Sequence, residues 1–236
     1  MCAAKTRSWC SSRGSMSGNG SSLIVDSMKQ KLADLSGCGH LVVCEGVTDL
    51  HLIRRFAGSL GPSRPVICGY PEGSWSNLSS LLRGLSRNRA FSEVSSLALI
   101  ADDDGDAASR LRECHAALVE SNLPTPPNRT WLDCEGMRIG IFLVPTCLEH
   151  LLLQQLDSDA VQCARVLLEC ANWSGNQSQM AKALFLASMA ALHGESTTVG
   201  AAINRGLVSV DHESLAPIRQ FLMTGWSREP QVGSGV

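Results

Sequence analysis

Two acidic clusters carry the residue types that could do chemistry together. Glu45-Gly46-Val47-Thr48-Asp49 follows the apolar run His40 to Cys44, and Asp102-Asp103-Asp104-Gly105-Asp106 follows the apolar run Ser96 to Ala101. Short, continuous, partly β-branched runs of this kind read as strands buried on both faces. Each cluster therefore sits at a strand end, and Gly46 lets the chain turn tightly into the next helix. If the two strands are neighbours, Glu45, Asp102 and Asp104 converge. Carboxylates crowded at one edge repel one another, and the usual relief is a hard divalent cation with oxygen ligands. That donor set favours Mg²⁺ or Mn²⁺ over zinc. Such an ion binds phosphate oxygens, activates water and steadies a leaving oxygen, so phosphodiester chemistry is the first expectation.

The clusters need a parallel sheet to hold them. Thr48 is the expected cap of a helix from Asp49 to Leu60, which ends at Gly61-Pro62. Pro65 to Cys68 reads as a second strand, Ser76 to Arg87 as a helix, and Ala107 to about Asn122 as the helix after the second cluster. A short strand is expected around Trp131 and a longer one from Arg138 to Val144. Beyond it the periodicity is helical: Leu148 to Leu156, Ala160 to Cys170, Met180 to Leu192, Val199 to Asn204 and Leu215 to Met223. Strands alternating with helices imply a parallel sheet with right-handed crossovers, whose carboxyl edge is where ligands bind. The expected division is a disordered tail over 1–22, an α/β domain over 23–156 that opens with a helix from Leu23 to Leu35, and a helical extension over 157–236.

The strand Leu41 to Cys44 with Glu45-Gly46-x-x-Asp49, and the strand Leu97 to Ala101 with Asp102-x-Asp104, resemble the paired motifs of the TOPRIM domain, separated by one strand and two helices. That domain, a compact Rossmann-like sheet, occurs in type IA and II topoisomerases, bacterial primases, recombination mediators and OLD-family nucleases. The segment Gly140 to Pro145 with Leu148-Glu149-His150-Leu151-Leu152, and the later stretch from Lys182 through Gly200-Ala201-Ala202-Ile203, are similar to a narrower group, the small stand-alone TOPRIM-related bacterial proteins of uncharacterised function. The resemblance implies Glu45 as a general acid/base or metal ligand, Asp102 and Asp104 as metal ligands, Asp49 as ligand to a second metal, and Glu149 as a further ligand. It implies DNA or RNA as the substrate class, or a separate ATPase or effector as the partner of a non-catalytic module. No G-x-x-x-x-G-K-[ST] occurs, so the ATPase of full OLD nucleases is missing, and with Tyr70 as the only tyrosine no topoisomerase cleavage domain fits.

Other readings of the same residues are weaker. Asp102, Asp104, Asp106 and Glu113 match four EF-hand positions, but Ala107 replaces the needed glycine and a strand precedes the loop. Asp102-x-Asp104-Gly105 also resembles the nucleophile motif of haloacid dehalogenase-like phosphatases, with Asp102 attacking phosphorus. That motif normally ends the first strand, and no later acidic pair follows a strand here. The ten cysteines include no C-x-x-C, and Cys44, Cys68, Cys163 and Cys170 lie in apolar runs, as reduced core fillers do. Cys147 with His150 is the nearest thing to a zinc pair, without further ligands at structural spacing.

A net charge of −2 supplies no global field toward nucleic acid, so contact with it must be local. Arg54 and Arg55, with Arg83 and Arg87, are the expected phosphate-guiding rim. The tryptophans are too scattered to form a stacking platform. No secretory h-region and no membrane-spanning run occurs, and a reducing cytoplasm is the expected compartment.

Overall fold

The computed structural model describes residues 35, 37–194 and 197–227. The expected tail and the helix from Leu23 lie outside these residues, Leu35 apart. Five strands, β1 (His40–Cys44), β2 (Val66–Gly69), β3 (Ser96–Asp102), β4 (Thr130–Cys134) and β5 (Met137–Val144), form one sheet in the order β2-β1-β3-β5-β4. Every residue of β1, β2 and β3 is buried, which is why their sequences are apolar without alternation. β1, β2, β3 and β5 are parallel. β4 departs from the expected parallel order and pairs antiparallel with β5. Only Glu135 and Gly136 join the two, enough for a hairpin and far too few for a crossover. Gly136 takes the left-handed φ of +76° that this turn requires.

Side chains alternate across the sheet and found two cores. Val42, Ala98, Ile100 and Phe142 face one of them, shared with α1 (Val47–Leu60), α4 (Leu148–Leu153), α6 (Gln177–His193), α7 (Val199–Asn204) and α8 (Ala216–Trp226). Leu41, Val43, Leu97, Leu99 and Ile141 face the other, shared with α2 (Leu78–Ser86) and α3 (Ala107–Glu120). The carboxyl-terminal helices therefore complete the sheet's own core. The exception is α5 (Ser158–Cys170), which buries Ala164 alone and packs on α6. Cys44 and Cys68 are core residues as expected, whereas Cys163 and Cys170 are exposed on that peripheral helix. None of the helices among the described residues is long and apolar enough to cross a membrane.

Trp131 fastens α8 to the edge of the sheet. Its ring stacks on Phe221 at 4.6 Å between centroids, and its Nε1 donates to the Phe221 carbonyl at 2.9 Å. A Cβ on Gly140 would stand 2.7 Å from that ring, and one on Gly225 only 2.1 Å. Both positions must stay bare for the indole to fit.

Candidate functional site

β1 and β3 are adjacent and parallel, so the two acidic clusters meet at the carboxyl edge of the sheet. Glu45 Oε2 accepts from the Asp102 backbone N at 3.1 Å, which ties the first motif to the second. Thr48 is not the cap of α1. Gly46 occupies that position, and Asp49, in the first turn, accepts from the Gly46 backbone N at 3.0 Å. This reach-back turns the Asp49 carboxylate inward, where it is 9% exposed. Asp102, at 7% exposure, accepts from the Leu148 backbone N at 3.1 Å. Glu149, the second residue of α4, is 4% exposed.

The acidic loop after β3 divides its labour. Asp103 Oδ1 accepts from Gly105 N at 2.9 Å and Thr146 N at 2.7 Å, and Asp106 caps α3 through Ser109 N, so these two hold the turn. Asp104 has a left-handed φ of +49° and receives Arg110 Nη2 at 2.8 Å. The same guanidinium stands 3.6 Å from Glu45 Oε1, and its Nε donates to the Asp102 carbonyl. Opposite the loop, Thr146 has φ +61°, a region that costs a β-branched residue about 1–3 kcal/mol. Its N–H to Asp103 and its carbonyl, which accepts from Asp104 N at 3.0 Å, hold it there.

Charge is unevenly matched. Burial raises the Asp49 carboxyl to about 7, and the neighbouring Glu149 and Glu45 charges add to the shift. Burial likewise pushes Asp102 well above its ordinary range, reinforced by Asp49, Glu45 and Glu149. Glu45 is raised by burial, against the opposing pull of Arg110. Lys182, on α6, loses solvation, which lowers it, but Glu149 and Asp102 outweigh that loss and leave it raised. Five carboxylates thus face two cations, Arg110 and Lys182.

Hard oxygen donors with excess negative charge fit a divalent cation, and Asp49, Asp102 and Glu149 are the buried residues that would hold it. Among the described residues, no three His, Cys, Asp or Glu side chains are grouped so as to hold a metal ion. The reason is visible in their partners: backbone N–H groups hold Asp49 and Asp102, and Arg110 holds Asp104. Cys147 and His150 do not form a zinc pair: the thiol is buried, pushed up to about 12 by that burial, and directed at the Ser178 carbonyl.

The expected arginine rim is not assembled. Arg54 and Arg55 ride on α1 and Arg83 on α2, with Arg87 as the latter's C-cap, and these helices cover opposite faces of the sheet. Arg83 and Arg87 also lie at the end of α2 that leads back toward the amino edge, and Arg83 Nε turns to its own helix at Ser79 O. Arg110 and Lys182 hold the place expected of the rim. Arg110 had a local signal, lying one turn into the helix after an acidic loop, whereas Lys182, the only lysine beyond Lys31, had none that placed it at the site.

Comparison with curated proteins and with solved structures gives no match. A family model does match, over residues 39–225, from the start of β1 almost to the end of α8, and so takes in every carboxylate described above. The chain belongs to the family described as "Protein of unknown function (DUF3226)".

Proposed function

We propose that this chain is a TOPRIM-type, metal-dependent protein that cleaves phosphodiesters of nucleic acid. The observation that carries the reading is the convergence of Asp49, Asp102 and Glu149, three buried carboxylates from three different elements, with too little fixed positive charge to balance them. A fold gains no stability from burying like charges, so their placement points to a ligand that supplies the opposite sign. Mg²⁺ or Mn²⁺ held there would neutralise phosphate charge and make bound water acidic enough to attack. Glu45, half-buried and raised by burial, is the group suited to carry a proton at the reacting centre. Arg110 fixes Glu45 and Asp104 in place, and Lys182 faces the site as a second positive group for a phosphate.

The test uses the full chain with Mg²⁺ or Mn²⁺ on single- and double-stranded DNA and RNA. Cleavage should appear, vanish with EDTA, and fall by about 10²–10⁴-fold in Glu45→Gln while Mn²⁺ binding persists. A second reading, a non-catalytic module partnering a separate ATPase or effector, is favoured by Arg110: its guanidinium already occupies Asp104 and approaches Glu45, part of what a second cation would do. Chain that cuts no substrate with any cation, yet retains a defined protein partner on purification from its cells, would decide for that module.

A further inference from the structure

A cavity of about 610 Å³ opens beside the carboxylates, between α4, α5 and α6. Leu153, Val161, Met180 and Leu184 give it an apolar floor. Gln154 and Gln177 stand around it, as does Asn176, whose Oδ1 already accepts from Gln179 N as the cap of α6, with the Arg165 guanidinium and the His150 imidazole. No carboxylate lines it, and Arg165 has no ion-pair partner among the described residues. The cavity also touches the acidic loop. Thr146, whose backbone braces Asp103 and Asp104, belongs to its wall, and Gln177 Oε1 lies 3.5 Å from where a Cβ on Gly105 would stand. His150 follows Glu149 directly on α4.

We infer that this cavity seats one unpaired nucleotide of a single-stranded nucleic acid whose neighbouring phosphodiester lies at the carboxylates. The inference rests on the phosphodiester reading given above. A base has two apolar faces and an edge of mixed donors and acceptors. The apolar floor and the flat His150 imidazole suit the faces, and carboxamides, which both donate and accept, suit the edge. Apolar side chains beside a flipped base are a recurrent solution. The volume falls in the ~300–1,000 Å³ span of small-molecule sites, which admits a nucleotide but not a duplex. The absence of carboxylates and the unpaired Arg165 match the ligand's negative charge, so Arg165 meets the flanking phosphate. The site therefore selects single strands, or duplex from which one base has been extruded.

The experiment measures anisotropy of a fluorescein-labelled single-stranded hexanucleotide, and of its duplex, against the full chain in Ca²⁺, which can balance the carboxylates beside the phosphate, with Mn²⁺ affinity measured separately by calorimetry. The single strand should bind more tightly than the duplex. Arg165→Ala should weaken it about tenfold, as loss of a charge-assisted contact does. Met180→Trp, which fills the cavity, should weaken it at least as much, and neither change should alter Mn²⁺ affinity. Strand affinity unchanged in both variants, or no strand binding by chain that binds Mn²⁺, overturns the inference. Strand binding that depends on Arg165 in chain that takes up no Mn²⁺ would support the cavity while removing the metal reading. Arg165 is exposed on α5, so its variant keeps the test decisive even if Met180→Trp does not fold.

Discussion

At the amino edge of the sheet His40 Nδ1 meets Ser96 Oγ at 2.9 Å, and Arg138 reaches both Asp133 and the Thr224 carbonyl at 2.6 Å. At the carboxyl edge Asp49, Asp102 and Glu149 are buried almost as deeply, and all carry the same sign when ionised. Burial, with Arg64 nearby, pulls His40 down to about 4 and so keeps it neutral, whereas burial at the other edge pushes Asp49 up to about 7. The same physical term thus acts at both ends. One end resolves its charge by pairing Arg138 and by keeping His40 neutral, although His40 Nε2 is buried without a partner, and the other leaves its like charges together. An edge that only stabilises the fold has no reason to collect like charges, so the difference supports the proposal that puts the chemistry at the carboxyl edge.

The contrast can be broken most forcefully at Arg138. Replacing it with Met removes two charge-assisted bonds that join β5 to β4 and α8, with an expected loss of about 2–3 kcal/mol. For a chain of this size that is a fall in Tm of roughly 4–12 °C. Asp133 is largely exposed, so the loss comes chiefly from the Thr224 carbonyl and from packing beside Trp131. A variant as stable as the parent would show that the amino edge is no clamp.

Asp49→Asn should have the opposite sign. A carboxyl whose folded pKa lies above its unfolded value binds more protons in the folded state, so metal-free stability falls as pH rises from about 4 to 7. His40 gives the reverse slope, gaining stability as pH rises from about 4 to 6.5. Thermal unfolding in EDTA should therefore show the two slopes opposing each other in the parent. Asp49→Asn should make the falling slope shallower, the part due to Asp102 and Glu45 remaining, and raise Tm near pH 7. An unchanged pH profile would mean that Asp49 carries no buried charge.

The smallest change is expected at Asp104. Its side chain is 41% exposed and satisfied by Arg110, so Asp104→Ala should alter metal-free Tm by no more than about 4 °C, the measure of a surface pair worth under about 1 kcal/mol. A large drop would place Asp104 in the framework instead of at the site.

The sequence made the framework legible where one physical demand dominated. The apolar runs of β1 and β3 could be nothing but doubly covered strands, and the acidic residues after them had to share an edge once those strands were neighbours. It was less legible where several groups competed for one role. Thr48 has the usual capping side chain, yet Asp49 one residue later satisfies the Gly46 N–H and becomes buried by doing so. Arg54, Arg55, Arg83 and Arg87 look alike along the chain, but the sheet lies between the two pairs. Lys182 reaches the site only because α6 folds back across the face that α1 also covers, a long-range placement that no local pattern encodes. Cys163 and Cys170 sit in an apolar run whose helix is peripheral, so composition alone mistook surface for core.

The most direct test of the account is calorimetric titration of the full chain with Mn²⁺ at pH 7.5, beside Asp102→Asn. The account expects saturable binding to the parent and affinity at least about tenfold lower in the variant, since an amide supplies neither the charge nor the second anionic oxygen that a hard cation selects. Equal affinity in the two proteins, or no binding to the parent, would contradict it.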